Sequence, residues 1–97
     1  MNSAKAKREI IGLALLLDEV SEYGVFFEYS PHVNGISLRV YENKDCYDEI
    51  KPQPAQLFKG SFYFDFCYKA DVENYQKAKE FLQAEISKAT EIKVESL

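Results

Sequence analysis

The residue types that could supply a nucleophile and a base are few in this sequence. His32 is the only histidine, and Cys46 and Cys67 are the only cysteines. A cysteine nucleophile needs a neighbouring base, usually a histidine that a third polar group holds in place. No Asn or Asp lies at a spacing from these residues that identifies it as the third group. A thiol enzyme that uses Cys46 or Cys67 is therefore the weakest function that we consider.

The sequence also lacks the ligand sets of common metal and nucleotide sites. One histidine and two separated cysteines are too few for a tetrahedral zinc site. The acidic cluster of Asp45, Asp48 and Glu49 lacks the mid-loop glycine and terminal glutamate of a calcium loop. The glycines are isolated from one another and form no phosphate-binding loop. We therefore predict no catalytic residue, no metal and no cofactor.

Length and composition predict one folded domain over residues 1–97. A chain of this length buries enough surface to fold without metal or disulfide staples. Hydrophobic residues make up 46% of the sequence and aromatic residues 14%, which excludes a disordered chain. The net charge of −4 disfavours direct contact with nucleic acid or anionic lipid and suits a basic protein partner.

An apolar run near the N-terminus, residues 10–17, superficially resembles a signal peptide. The run is far shorter than the ~20 residues that cross a bilayer. Asp18 and Glu19 follow it, where a signal peptide would carry a cleavage site. We therefore predict a cytoplasmic protein with free thiols and no membrane contact.

Helical periodicity marks two segments. Apolar residues at helical spacing occupy residues 4–23, with Ser3 as the candidate N-cap and Gly24 as the stop signal. A second helical stripe follows Asp71, the candidate N-cap of a helix that ends near residue 89.

Alternating residues predict two strands, Val25–Tyr29 and Ile36–Tyr41, which would form a hairpin around an Asn-Gly pair at 34–35. A two-residue turn at that pair would place Tyr29 opposite Val40. Pro31 cannot donate to a ladder, so the first strand is an edge strand or the loop is wider than two residues. The residues that would share the core side are Val25, Phe27, Tyr29, Ile36, Leu38 and Val40.

A third strand is predicted over Phe62–Tyr68, where the alternation of aromatic and other residues is unbroken. Helices would have to cover one side of this strand. Residues 43–61 then form a long acidic loop, with the alternative that part of this segment extends the flanking strands. The predicted core side of the strand consists of Phe62, Phe64, Phe66 and Tyr68.

These elements predict an α+β domain of order α-β-β-β-α, with a three-stranded antiparallel meander and two helices packed on one face. This order resembles double-stranded RNA-binding domains over nearly the whole chain. Those domains carry a lysine-rich motif at the start of the second helix, where this sequence has Ala70-Asp71-Val72-Glu73. The resemblance therefore implies the order of elements and not RNA binding.

The uncovered side of the sheet is the main candidate binding surface. Tyr and Arg are enriched at protein interfaces, whereas Glu28 and Asp65 on this side would repel phosphate. The alternative is an ordinary solvated face with scattered aromatic residues. The predicted binding residues on this side are Phe26, Arg39, Tyr41 and Tyr63.

We predict a non-catalytic protein-binding or regulatory accessory protein, of a kind that phages and mobile elements often encode. The main alternative is an acidic inhibitor that blocks a nucleic-acid-binding enzyme, with Asp45, Asp48 and Glu49 as phosphate mimics. Salt dependence would separate the two, because a phosphate mimic loses affinity steeply as salt rises.

A homodimer is also expected. The first strand carries apolar residues on both faces and lacks the lysines that protect exposed sheet edges. Two-fold dimers are the commonest soluble oligomers. The two copies would meet through the edge of this strand or through Phe26, Tyr41 and Tyr63.

Overall fold

The computed structural model describes residues 2–44 and 54–95, with side chains described through residue 91. The three strands form one antiparallel sheet in the order β1-β2-β3, so the predicted α-β-β-β-α order is confirmed. The elements are α1 (Ser3–Val20), β1 (Gly24–Ser30), β2 (Gly35–Tyr41), β3 (Gln56–Tyr63) and α2 (Lys69–Glu95).

Both helices pack on one face of the sheet and build a single core against it. Residues three or four apart on each helix turn to the sheet, as the helical period requires. On β2 every second residue from Ile36 to Val40 is buried, as the strand period requires. The buried core consists of Ala6, Ile10, Ala14, Leu17, Ile36, Leu38, Val40, Phe62, Phe64, Tyr75, Ala78 and Leu82.

The ends of α1 differ from the sequence-based prediction. Asn2, rather than Ser3, is the N-cap, and its side chain accepts a hydrogen bond from the backbone N–H of Lys5. Ser21 is the C-cap, and Gly24 is the first residue of β1. The helix therefore ends without a left-handed glycine.

Helix α2 begins earlier and ends later than predicted. It starts at Lys69, so Asp71 lies inside the first turn instead of capping it. The Asp71 carboxylate accepts a hydrogen bond from the backbone N–H of Tyr63 at 3.3 Å, which ties the helix to β3. The helix continues to Glu95, past the predicted end near residue 89.

The predicted hairpin register is wrong by four residues. The loop spans residues 31–34, so Tyr29 lies opposite Ile36 instead of Val40. Pro31 thus lies in the loop, where its missing N–H costs no ladder hydrogen bond. A shift of four preserves the alternation, and the predicted set of residues on the core side of both strands is correct.

The third strand also differs from the prediction over residues 62–68. The strand is Gln56–Tyr63, and the chain then leaves the sheet. The backbone N–H of Phe66 donates to the carbonyl of Tyr63 at 3.4 Å, and Phe66 has a positive φ of 54°. Tyr68, predicted to face the core, is 72% exposed. The alternation of residue types therefore continues through a turn.

Phe64 is buried even though it follows the end of the strand. Its backbone N–H donates to the carbonyl of Asn34 at 2.8 Å, which adds one more rung beside the hairpin loop. The Phe64 ring meets the rings of Phe62 and Phe66 edge to face, at centroid distances of 5.2 and 6.2 Å. Phe66 also contacts Tyr75 of α2 at 5.4 Å. Ring packing against α2 therefore keeps this turn in the core.

The predicted loop over residues 43–61 is too long, because its last six residues belong to β3. The connection between β2 and β3 spans residues 42–55, of which 45–53 lie outside the described residues. Two hydrogen bonds close its base. The backbone N–H of Glu42 donates to the carbonyl of Ala55 at 3.0 Å, and the N–H of Ala55 donates to Oε1 of Glu42 at 3.3 Å.

Candidate functional site

Alternation along the strands separates a helix-covered face from an uncovered one. On β2, Ile36, Leu38 and Val40 are buried under the helices, so the side chains between them point to the other side. The strand register extends this assignment to both neighbouring strands. We call this second surface the open face, and it carries Phe26, Glu28, Ser37, Arg39, Tyr41, Lys59, Ser61 and Tyr63.

Three of the predicted binding residues contact one another at one end of the open face. Phe26 lies directly opposite Arg39, and the guanidinium carbon of Arg39 is 5.4 Å from the centroid of the Phe26 ring. Tyr41 meets Phe26 edge to face at a centroid distance of 5.9 Å. The Tyr41 hydroxyl also accepts a hydrogen bond from Nε2 of Gln56 at 3.3 Å. These contacts form a prearranged aromatic and cationic cluster.

Tyr63, the fourth predicted binding residue on this side of the sheet, lies at the opposite end of the open face. Its cross-strand partner is Gly35, and a Cβ atom built on Gly35 would lie 2.9 Å from Cδ1 of the Tyr63 ring. The Tyr63 ring is 50% exposed. It borders a shallow groove of about 290 Å³ that Glu28, Ser37 and Ser61 also line. The open face thus has an exposed aromatic side chain beside a groove with mixed polar and apolar lining.

The first turns of α2 hold this end of β3 in place. Asp71, only 8% exposed, accepts the backbone N–H of Tyr63 at 3.3 Å. Asn74 donates from Nδ2 to the backbone carbonyl of Ser61, also at 3.3 Å. Helix side chains therefore satisfy backbone groups on the outer edge of β3, and they fix the strand position that carries Tyr63.

The centre of the open face is cationic. Arg39 lies directly opposite Lys59, and both side chains are exposed. Glu28 is the one carboxylate in the open-face set, so two cations and one anion leave this surface with a net charge of +1. The whole chain carries −4. The charge of the open face is therefore opposite in sign to that of the protein.

A polar cluster on the helix side joins α1 to α2. Glu9 accepts hydrogen bonds from Nζ of Lys79 at 2.8 Å and from the hydroxyl of Tyr75 at 3.0 Å. The hydrogen bond from Lys79 lowers the pKa of Glu9, whereas burial and the hydrogen bond to Glu9 raise the pKa of Tyr75. Since these groups satisfy one another, we interpret the cluster as a structural clamp.

A second network anchors the hairpin loop. Nζ of Lys7 donates to the hydroxyl of Tyr29 at 2.8 Å, and this hydroxyl donates to Oδ1 of Asn34 at 3.1 Å. Nδ2 of Asn34 lies 3.4 Å from Oγ of Ser3 and 3.0 Å from Oδ1 of Asp65, and it donates to both. Asp65, expected on the open face, instead holds the loop residue Asn34.

The structure does not assemble a thiol site from the described residues. Cys67 is a free, exposed thiol whose Sγ lies 3.9 Å from the carbonyl oxygen of Asp65. His32 is exposed in the hairpin loop, and no hydrogen bond between described residues joins it to Cys67. The predicted site residues outside the described part of the chain are Asp45, Cys46, Asp48 and Glu49.

The predicted loop over residues 43–61 does not place Lys59 and Ser61 on the open face, although both belong to β3. A signal was present in the sequence. Phe58 and Phe62 alternate with polar residues at the strand period, around a glycine that carries no side chain to continue the pattern. This alternation extends the predicted strand four residues toward the N-terminus, to Phe58, and so includes Lys59 and Ser61.

Three further observations bear on function. Over residues 2–44 and 54–95, no group of three or more His, Cys, Asp or Glu is arranged to hold a metal ion, and neither helix has the length and apolarity to cross a membrane. Comparisons with protein-family models, with curated proteins and with solved structures give no match. The resemblance to double-stranded RNA-binding domains thus remains one of element order.

Proposed function

We propose that this protein is a non-catalytic protein-binding domain that contacts a partner protein through the open face. The observation that carries the proposal is the contact cluster of Phe26, Arg39 and Tyr41. Aromatic and Arg side chains dominate the binding energy of protein interfaces. Because these three side chains already pack on one another, binding would order fewer rotamers and cost less conformational entropy.

The dimensions of the open face support a partner segment of moderate size. Gly35, opposite Tyr63, and Tyr41 are the two ends of β2. At the rise of an extended strand, the six steps between them cover about 20 Å. An extended segment of about seven residues would therefore contact the tyrosines at both ends of the face.

We assign self-association to a different surface, the edge of β1. β1 is an edge strand and carries neither Lys nor Arg, so it lacks the lysines that most often prevent edge pairing. Two open faces packed on each other would bring Arg39 and Lys59 of one copy close to the same cations of the other. A second copy on β1 leaves the open face available to the partner.

The remaining interpretations stay predictions from composition. These are the cytoplasmic location, the phage-like origin and the acidic inhibitor that would use Asp45, Asp48 and Glu49. The last depends on residues outside the described ranges. No described contact favours it over the open face.

The proposal is tested by affinity capture from the native cell with three immobilised proteins. These are the wild type, the double variant Tyr41→Ala with Tyr63→Ala, and the single variant Tyr68→Ala. Tyr68 is the matched control because it is a highly exposed tyrosine outside all three strands. Circular dichroism melting establishes beforehand that all three proteins are folded.

We expect the wild type and Tyr68→Ala to enrich the same protein and the double variant to lose it. With purified components, loss of two interface tyrosines should raise the dissociation constant for the partner by at least about tenfold. Equal affinity of the double variant and the wild type for every captured protein would overturn the proposal. Failure of the wild type to enrich any protein over the double variant would do the same.

A further inference from the structure

The centre of the open face places two cations on directly opposite strand positions, and neither forms a salt bridge with a described carboxylate. Like charges directly opposite each other on a sheet are destabilising, and Arg39 and Lys59 occupy such a position. No described residue forms a salt bridge with either side chain. No ion pair within the described part of the chain therefore offsets the cost of the two like charges.

A shortage of carboxylates does not explain this arrangement. The chain has 16 acidic residues against 12 lysines and arginines. Two lysines are paired across elements, Lys79 with Glu9 at 2.8 Å and Lys44 with Asp18 at 3.5 Å. The exposed helix cations Arg8 and Lys77 form no described salt bridge, but they do not lie opposite a second cation on the sheet. An acidic protein that leaves two cations unpaired at the centre of its uncovered surface has a site that a negative partner would complete.

The packing of Arg39 favours a carboxylate as the missing group. Its guanidinium lies over the ring of Phe26. A guanidinium stacked in this way keeps its N–H groups available at its edge, where they match the two oxygens of a carboxylate. Lys59 adds a second charge from the directly opposite position of β3, where Cβ atoms lie about 5 Å apart.

We infer that the partner protein places an acidic segment on the open face, with Asp or Glu side chains that pair with Arg39 and Lys59. The inference rests on the proposed function and adds the chemistry of the partner to it. Tyr41 and Tyr63 lie on either side of the cationic centre, so apolar residues would flank the acidic ones.

Single-stranded nucleic acid is the competing source of negative charge, and the charges of the protein disfavour it. A nucleic acid carries a phosphate at every nucleotide and binds best along a basic groove. The open face offers only two cations, Glu28 lies beside them, and the whole chain is acidic. A short acidic segment matches this limited charge.

The probe is a short fluorescent peptide with alternating Asp and Glu residues flanked by apolar ones, measured by fluorescence anisotropy. Its counterpart has Asn and Gln in place of the acids, and a single-stranded oligothymidine of similar length is the third ligand. The test protein is Arg39→Gln with Lys59→Gln. The matched control is Arg8→Gln with Lys77→Gln, which removes two exposed helix cations that have no salt bridge in the described ranges.

We expect the acidic peptide to bind the wild type and the control equally and to bind Arg39→Gln with Lys59→Gln at least about tenfold more weakly. Binding should also weaken as salt rises from about 50 to about 500 mM. Equal binding of the amide peptide would overturn the inference, as would tighter binding of the oligothymidine or undiminished binding by the Arg39 and Lys59 variant.

The captured partner separates failure of this inference from failure of the proposed function. If the partner is lost by the variant of Tyr41 and Tyr63 but retained by the variant of Arg39 and Lys59, the open face binds a protein without acidic contacts and the inference falls alone. If both variants retain the partner, the proposed function falls and the inference falls with it.

Discussion

The ring of Tyr63 lies against Gly35, its cross-strand partner, and this contact explains why residue 35 is a glycine. The Asn-Gly pair at 34–35 predicts a tight turn with left-handed residues, but only Asn34 has a positive φ, at 54°. Gly35 is an ordinary strand residue with no Cβ to meet the ring. The open face therefore depends on a glycine for the position of one of its aromatic residues.

Gly35→Ala should displace the Tyr63 ring and destabilise the fold. The new Cβ would lie 2.9 Å from Cδ1 and 3.1 Å from Cε1 of that ring. Because the ring is half exposed it can swing outward, so we expect a loss of about 1 kcal/mol in the free energy of unfolding. Urea denaturation measures the loss. An unchanged free energy, together with unchanged partner affinity, would contradict the contact.

Gly12→Ala is the matched control and should act in the opposite direction. Gly12 lies inside α1, and nothing within 4 Å would meet an added Cβ. Alanine is the better helix former, so the free energy of unfolding should rise by about 0.5 to 1 kcal/mol. The same urea titration compares both glycine variants with the wild type.

Phe64→Ala should cost about 3 to 5 kcal/mol of unfolding free energy, through lost burial and the cavity that remains. The ring is fully buried among Phe62, Phe66 and Tyr29. Tyr68→Ala provides the contrast, since this exposed side chain should change stability by less than about 0.5 kcal/mol. Thermal melts of the two variants that coincide would mean that Phe64 lies outside the core.

The comparison of Phe64 with Tyr68 also shows how far the sequence predicts the fold. Alternation of apolar residues identifies which side chains turn inward, and it does so correctly for Phe62 and Phe64. It does not reveal where the strand ends, because a tight turn can also bury alternate residues. The end depends on long-range contacts such as the hydrogen bond from Phe64 to Asn34.

The candidate site was predictable in the same partial way. Phe26, Arg39 and Tyr41 follow from the period of two strong strands, and the structure places them together. Lys59 lies where Gly60 and the two preceding prolines weaken the strand signal. Its position opposite Arg39 depends on the register of β3, which short-range patterns do not specify.

As the pH falls, Glu9→Gln should lose less unfolding free energy than the wild type loses. The hydrogen bond from Lys79 lowers the pKa of Glu9 below its usual 4.5. A carboxyl with a lowered folded-state pKa stabilises the fold above its unfolded pKa, and this stabilisation is lost as pH falls through the folded-state pKa. The difference in stability between wild type and Glu9→Gln should therefore shrink below about pH 4.5.

Lys79→Gln tests the cause of that pKa shift. Removing the ammonium group should return the pKa of Glu9 toward its usual value, while Tyr75 still donates its hydrogen bond. Urea titrations across the acid range should then show a smaller acid-dependent loss than in the wild type. A wild-type acid response in both variants would show that the clamp does not set the acid stability.

Self-association through β1 should be visible by sedimentation equilibrium at tens of micromolar protein, where we expect a homodimer. Phe27 is 36% exposed although it points to the helix-covered side, because it lies on the edge strand. Phe27→Lys supplies the charge that natural edge strands use against pairing and should release folded monomers. Tyr41→Asp with Tyr63→Asp is the control, since both residues lie on the open face and neither belongs to β1. This control should remain dimeric and lose the partner protein. A wild type that sediments as a monomer would contradict the dimer. If the control dissociates and Phe27→Lys remains dimeric, the second copy binds to the open face instead of to β1.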